Sequence, residues 1–417
     1  MTSNKEYTEA FVWIWLPNET GPVVAGKLTA EDNNLIFNYG KSYLERSKAI
    51  SLYEAELPLR SGALPLLSGL NMPSCIRDAA PDAWGRRVLI NTKLGSKGTN
   101  ADPAQLDELT YLLESGSDRI GALDFQQSAT EYVPRLSVNV ELEELLESAE
   151  RVIKGVPLTP ELDQALHHGS SIGGARPKAL IENDNKKYIA KFSLSSDLYS
   201  MVKAEYIAMR LAQLVGLNVA PVSLTQSSHK DILLIERFDR QYTSKGWQRK
   251  SMVSALTLFG LDELMARYAS YEDLAEIIRH KFNHASTTLK ELFSRLVFNI
   301  LSGNNDDHAR NHAAFWDGKM LSLTPAYDIC PQSRAGNETS QAMLISGNNR
   351  MSKVSSCIDA AHIFLLSQKE ARAIVEHQKK VIIESWDQVC AEANLSKTDS
   401  NLFWGRQFLN PYVFEGL

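Results

Sequence analysis

Asn304-Asn305-Asp306-Asp307-His308-Ala309-Arg310-Asn311 is the stretch that decides how this chain is read. It gathers carboxylates, amides and an imidazole, side chains that bind cations or accept protons. So polar a run also suits a plain surface loop, and its surroundings decide between the two. Upstream, Leu289, Leu292, Phe293, Leu296, Val297, Ile300 and Leu301 recur at three- and four-residue spacing, the apolar stripe of a helix packed into a core. Ser302-Gly303 marks its end, because glycine readily takes the left-handed conformation that closes a helix. Downstream, Ala313-Ala314-Phe315-Trp316 and Met320-Leu321-Ser322-Leu323 flank Asp317-Gly318, a strong hairpin signal. The second strand leads into Thr324-Pro325-Ala326-Tyr327-Asp328.

The order is a buried helix, a loop with Asp306 and Asn311 five residues apart, a hairpin, and then Asp328. Protein kinases use that order: a catalytic aspartate, a metal-binding asparagine, and a second metal-binding aspartate. The chemistry explains the residue types. A carboxylate accepts or orients the proton of the attacking hydroxyl, the role that fits Asp306. An amide oxygen and a second carboxylate hold Mg2+, a hard ion that prefers oxygen ligands, and Asn311 and Asp328 fit there. Asp307 doubles the first aspartate, but the five-residue offset to Asn311 selects Asp306.

The chain has 417 residues, enough for two or three domains and a large core. Its 44% hydrophobic and 23% charged content is that of a soluble globular protein. A net charge of −6 excludes a global basic field for nucleic acid. Cys75, Cys330, Cys357 and Cys390 are scattered without a CxxC pair, which argues against a zinc ribbon or a disulfide framework and suits a reducing cytosol. The N-terminus lacks the apolar core of a signal peptide, and no stretch approaches the ~18 apolar residues of a membrane helix. The expectation is a cytoplasmic protein without membrane contact.

Along the chain, strands are expected at 11–16, 23–28 and 35–39, and helices begin near Ala80 with Pro81 in a first turn. Arg86 and Arg87 suit a solvated helix face or a partner's acidic groups. Helices follow at 106–113 and, with an acidic polar side, at 142–153. Residues 261–280 read as helical with an interruption at 268–271, and the chain beyond Asp328 is mostly helical.

Ser170-Ser171-Ile172-Gly173-Gly174-Ala175-Arg176-Pro177-Lys178 is the second informative stretch. Ile172, Gly173, Gly174 and Ala175 permit close backbone approach to a ligand, and their N–H groups suit phosphate oxygens, to which Lys178 adds charge. The run is neither a Walker A loop nor GxGxxG, and taken alone it could be only a turn. Lys187 to Phe192 then alternates as a strand carrying Lys191, and a helix from Val202 to Leu214 places Glu205 beside its apolar stripe. Kinases pair a strand lysine with such a helix glutamate. The strand Asp231–Ile235 runs into Glu236-Arg237-Phe238-Asp239-Arg240. In a kinase this is the hinge, where backbone near Glu236 meets adenine, Phe238 lies against the ring and Asp239 bonds ribose. The same residues also suit an ordinary strand end with a surface cluster of Arg and Asp.

Ser171-Ile172-Gly173-Gly174-Ala175-Arg176-Pro177-Lys178, Ile189-Ala190-Lys191-Phe192, Glu236 to Arg240, Asn305 to Asn311 and Leu323 to Asp328 together resemble the HipA family, the serine/threonine-kinase toxins of bacterial type II toxin–antitoxin systems. The β-rich N-terminus and Pro81 to Arg87 resemble that family too. The resemblance implies an α+β, two-lobed protein-kinase-like (HipA-type) fold with an N-terminal β-rich subdomain and a mostly helical C-lobe. Its parts would be 1–125, an N-terminal subdomain; 126–240, an N-lobe with the glycine-rich loop; and 241–417, the C-lobe. It implies ATP and Mg2+ as cofactors and a HipB-type DNA-binding antitoxin as partner, with DNA reached only through that complex. It implies a protein substrate of the translation machinery, an aminoacyl-tRNA synthetase. It also implies autophosphorylation of a serine before the loop, matched here by Ser171 with Ser170 as the alternative acceptor.

Three other classes compete. A small-molecule or lipid kinase could use the same machinery, since fold does not fix the hydroxyl that is phosphorylated. A catalytically dead binding protein is disfavoured by intact Lys191, Asp306, Asn311 and Asp328. A metal hydrolase would need His308 and His312 on one helical face, and the intervening residues do not form a convincing helix.

Overall fold

β1 (Glu9–Ile14), β2 (Val23–Glu31) and β3 (Asn34–Tyr39) form an antiparallel meander close to the expected strands. This is a computed structural model, and it describes residues 7–94, 102–135, 141–156, 174, 176–194, 197, 199–334, 336 and 338–417. β4 (Ala63–Leu64) pairs with β3, and β5 (Leu123–Gln126) returns to pair with β1, giving the order β4-β3-β2-β1-β5. Gly26 is required where β2 crosses β3, because a Cβ there would lie 2.7 Å from the Phe37 ring. Ala10, Val12, Ile14, Leu28 and Phe37 are fully buried and seat this sheet on the main core.

The second sheet comprises β6 (Lys178–Asn183), β7 (Lys186–Phe192), β8 (Val222–Ser227) and β9 (Lys230–Glu236), antiparallel in the order β6-β7-β9-β8. Helices Ala83–Leu94 and Leu142–Lys154 cover one face, where Trp84, Val88, Leu145, Leu146, Ala149 and Val152 pack against Ala179, Ala190, Phe192 and Ile232. Helix Met201–Leu214 packs on β8 and β9 and on the long helix Gln368–Glu392. A helix of the N-terminal region thus helps to fix the sheet that carries Lys178 and Lys191.

β10 (Arg240–Thr243) and β11 (Gly246–Arg249) form a ribbon, and β12 (Met252–Ser254), β13 (Ala313–Trp316) and β14 (Leu321–Leu323) a third sheet. Helix Ala285–Ser302 buries every residue of the stripe read from the sequence and ends at Gly303 with φ 73°. Asp317 and Gly318 lie in the turn between β13 and β14, as the hairpin signal predicts.

Residues 261–268 depart from the helical expectation: they form turns and a short 3-10 segment, Ala266–Tyr268. The helix starts at Tyr271 instead, because Ser270 Oγ accepts the Asp273 N–H and fixes its N-terminus there. Four buried free cysteines are scattered through the fold. Among the described residues no helix is long and apolar enough to cross a membrane.

Candidate active site

Gly303 turns the chain out of the buried helix, and both neighbouring and distant residues then hold the polar octet. Asn304 N–H bonds Asn299 O at 2.9 Å, and its amide bonds the Asn299 side chain at 3.0 Å. Asn305 donates to Thr339 Oγ1 at 2.8 Å and accepts from Ala342 N at 3.0 Å. The two aspartates then divide. Asp307 is 3% exposed, and its carboxylate accepts from the Tyr271 hydroxyl and from His312 Nε2, the latter at 3.0 Å. Asp306 is exposed. Partial desolvation, helped by the Asp328 and Asp307 carboxylates and opposed by His308, raises its pKa above the ordinary carboxylate value. One aspartate is spent on holding the loop, and the other faces outward.

A 3-10 turn, Ala309–Asn311, follows, and Asn311 Nδ2 donates to the Asp306 carbonyl at 3.2 Å. That bond leaves the Asn311 amide oxygen for another partner. The turn also bears on the metal-hydrolase alternative, since His308 and His312 do not share an α-helical face and His312 is tied to Asp307.

Asp328 adopts φ 58°, an uncommon conformation for a non-glycine residue. The two residues before it are anchored. Ala326 bridges in parallel to Val219, and the Tyr327 hydroxyl donates to the Arg310 carbonyl at 2.7 Å. The Asp328 carboxylate pairs with Lys191, which lowers its pKa to about 2.

Lys191 in β7 also donates to Glu205 Oε1 at 2.6 Å, and both residues are buried. Burial works against the ammonium, but the Asp328 and Glu205 carboxylates outweigh it and raise its pKa. Lys178 stands directly across from Lys191 in the β6–β7 register and is 4% exposed. Burial, reinforced by the neighbouring Lys191 charge, lowers its pKa to about 8. Gly174 has φ 100°, a backbone conformation that residues with a side chain rarely adopt, so this position favours glycine. Ser170, Ser171, Ile172, Gly173 and Ala175 lie outside the described residues.

The hinge stretch behaves differently from expectation. Glu236 pairs with Lys186 at 2.7 Å, and the half-buried Phe238 ring lies against Phe315 and Tyr327. Asp239 is 2% exposed. Its carboxylate accepts from Arg237, from Arg240 Nη1 at 2.8 Å and from Gly121 N–H at 2.8 Å. The ribose role expected for Asp239 therefore does not suit its carboxylate, which is already committed. The surface-cluster alternative fails too, because Arg237 and Arg240 are buried and also bind Asp118, at 3.0 and 2.9 Å. This network ties the 118–121 segment to residues 237–240.

Two further features escaped the sequence reading. Arg86 is no solvated helix residue: it grips Glu108 with two bonds of 2.6 and 2.7 Å and lies over the Tyr111 ring. Asp82 reaches both Gly174 and Arg310. An aspartate before a helix reads from sequence as an N-cap residue, so no local signal marks these partners.

The site presents oxygen donors on Asp306, Asn311 and Asp328 beside two buried lysines. A hard divalent cation with an anionic, phosphate-bearing ligand fits this donor set, whereas a softer metal would prefer thiolate or imidazole.

Comparison with known proteins gives concordant results. A family model described as the HipA-like C-terminal domain matches residues 170–386, and one described as the HipA N-terminal domain matches residues 17–126. Y4mE of Sinorhizobium fredii is 25% identical over 337 residues, covering 73% of this chain and 74% of that protein. The serine/threonine-protein kinase toxin HipA of Shewanella oneidensis is 26% identical over 184 residues, 38% of this chain and 42% of that protein. In overall fold the chain is similar to a chain in the solved complex of HipA, HipB and operator DNA from the same organism. That likeness has a TM-score of 0.68 at 19% identity, covering 94% of this chain and 93% of the other.

Proposed function

The chain belongs to the HipA family, and from that premise we propose that it is an ATP-dependent serine/threonine-protein kinase, the toxin of a bacterial toxin–antitoxin pair. The observation that carries the proposal is the placement of Lys191. It bonds Glu205 on one side and Asp328 on the other, and Tyr327 anchors Asp328 to the loop bearing Asp306 and Asn311.

In this reading Asn311 and Asp328 would hold Mg2+, and Lys178, Lys191 and the backbone of Ile172, Gly173 and Ala175 would meet the phosphates of ATP, while the N–H expected from Gly174 is already taken by Asp82. The bound ion neutralises phosphate charge. Asp306 accepts or orients the proton of the substrate hydroxyl, and Glu205 keeps Lys191 aimed into the cleft. Backbone near Glu236 together with Phe238 would receive the base, while Asp239 braces the hinge from behind. The parts of the chain are 1–125, 126–240 and 241–417.

The partners are a HipB-type antitoxin, with DNA reached through that complex, and a protein of the translation machinery, an aminoacyl-tRNA synthetase in the family pattern. The compartment is the cytoplasm. Ser171, with Ser170 as the alternative, is the autophosphorylation site. The test is bacterial growth on expression of the chain alone. Growth should stop with the wild type and continue with Asp306→Asn at equal expression. Unimpaired growth with verified wild-type protein would favour a kinase of small molecules or lipids.

A further inference from the structure

Asp82 stands at the entry to helix Ala83–Leu94, outside the residues assigned above, yet its carboxylate joins two segments of the site. Oδ2 accepts the Gly174 N–H at 2.6 Å, and Oδ1 pairs with the Arg310 guanidinium. The two partners lie 92 and 228 positions away in the chain. Gly174 belongs to the glycine-rich run, and Arg310 precedes Asn311 in the catalytic loop.

The surroundings make this a rigid grip. Trp84 N–H donates to Gly174 O at 3.1 Å, and Trp84 Nε1 donates to Lys178 O at 3.2 Å. Trp84 is fully buried, which fixes the direction of both bonds. Arg86 Nε holds the Pro81 carbonyl at 2.9 Å while its guanidinium grips Glu108. The turn at 81–84 is thus braced from its own side. On the other side Arg310 also reaches Glu263 at 3.0 Å, and its carbonyl takes the Tyr327 hydroxyl. Asp82 keeps its charge despite burial, because Arg310, the Gly174 N–H and Lys178 together lower its pKa.

We propose that Asp82 is a positioning residue for phosphoryl transfer, a clasp that sets Gly174 and the catalytic loop at a fixed separation. This rests on the kinase reading above. A backbone N–H and a guanidinium held by one carboxylate cannot drift apart by more than the slack of two charge-assisted hydrogen bonds. A displacement of about 1 Å between reacting groups costs on the order of a hundredfold in rate. The two halves of the clasp act on different quantities. The Gly174 bond holds the residue beside the Gly173 and Ala175 backbone assigned above to the ATP phosphates, so it bears on KM for ATP. The Arg310 pair orders the loop of Asp306 and Asn311, so it bears on kcat.

The test uses the full chain, a bacterial lysate as protein substrate and labelled ATP at varied concentration. Asp82→Asn keeps an oxygen for Gly174 but loses the charge facing Arg310. It should lower apparent kcat by about ten- to a hundredfold with KM for ATP within about twofold. Asp82→Ala should lower kcat and also raise KM several-fold. Asp82→Asn combined with Arg310→Gln should be no slower than the slower single variant, since both remove one interaction. If Asp82→Ala does not fold, the Asn and Gln variants and their combination carry the test alone. Folded variants with wild-type kcat and KM, or a double variant whose losses multiply, would overturn the clasp. A wild type that transfers no label fails the kinase reading itself, and the clasp falls with it.

Discussion

Lys178 and Lys191 face each other across β6 and β7, both buried, yet their charges are held very differently. Lys191 has two carboxylates against it, Glu205 and Asp328, and stays protonated. Burial, reinforced by that neighbouring charge, pushes Lys178 down to about 8 from the usual 10.5. Two ammonium groups side by side are costly for the protein alone and favourable once an anion arrives.

The first expectation is therefore a pH dependence of ATP affinity. Below pH 8 Lys178 is protonated in the free protein, and an anionic ligand gains its full charge. Above pH 8 binding must take up a proton, so Kd should rise by up to about tenfold per pH unit until the lysine's value in the complex is reached. Stability without ligand runs the opposite way. Between pH 8 and 10.5 the unfolded chain holds a proton that the folded protein has lost, so this group favours folding more as pH rises. Calorimetric titration with Mg–ATP from pH 7 to 9.5 measures the first effect. A profile equally flat in wild type and Lys178→Met would remove Lys178 from the site.

Asn311→Ala and Asp328→Ala should each weaken Mg–ATP binding, since each removes an oxygen ligand. Loss of Asp328 also removes one of the two carboxylates on Lys191. Thermal shift in the presence of Mg–ATP reports the change, because a ligand specific to the native state raises stability by mass action. Shifts equal to wild type in both variants would exclude a metal role.

Removing one partner of the buried network at the hinge should be severe. Burial opposes charge on Asp118 and Asp239, and the arginines around them, with Lys187 on Asp118 and the Gly121 N–H on Asp239, keep both ionised. Arg237→Met leaves those carboxylates undercompensated and should cost about 3–5 kcal/mol, read from urea unfolding. A cost below about 1 kcal/mol would mean that the network does not hold the 118–121 segment to the hinge.

Phosphorylation at Ser171 should silence the enzyme. A phosphate there adds roughly −1.5 to −2 charges next to the run that would receive ATP phosphates. Ser171→Asp should lose most activity and Ser171→Ala should keep it. Mass spectrometry on wild type and Asp306→Asn identifies the acceptor, and phosphate on Ser170 alone would move the site by one residue. A fully active phosphorylated protein contradicts the switch.

Much of the frame was legible because it is written in local patterns. The apolar stripe from Leu289 to Leu301 reports one buried helix face, and Gly303 its left-handed end. Asp317-Gly318 reports the β13–β14 turn, and the alternation around Lys191 reports β7. The contacts that decide individual roles are tertiary. Asp239 was read as a ribose ligand, with an exposed Arg and Asp cluster as the alternative, because the neighbouring Arg240 does not reveal in sequence that the cluster is buried and closed by the distant Gly121 N–H. Asp82 gave no sign of these partners, since they are far along the chain. Spacing preferred Asp306 to Asp307, but that Tyr271 and His312 engage Asp307 emerges only from the packed structure.

The most direct measurement is transfer of label from γ-labelled ATP to proteins of a bacterial lysate, with labelled residues identified by mass spectrometry. The wild type should label a protein on serine or threonine, and Asp306→Asn should lower the rate by roughly 10²–10⁴-fold while keeping the wild-type fold. Label confined to small molecules or lipids, or an Asp306→Asn variant as active as the wild type, would contradict the account.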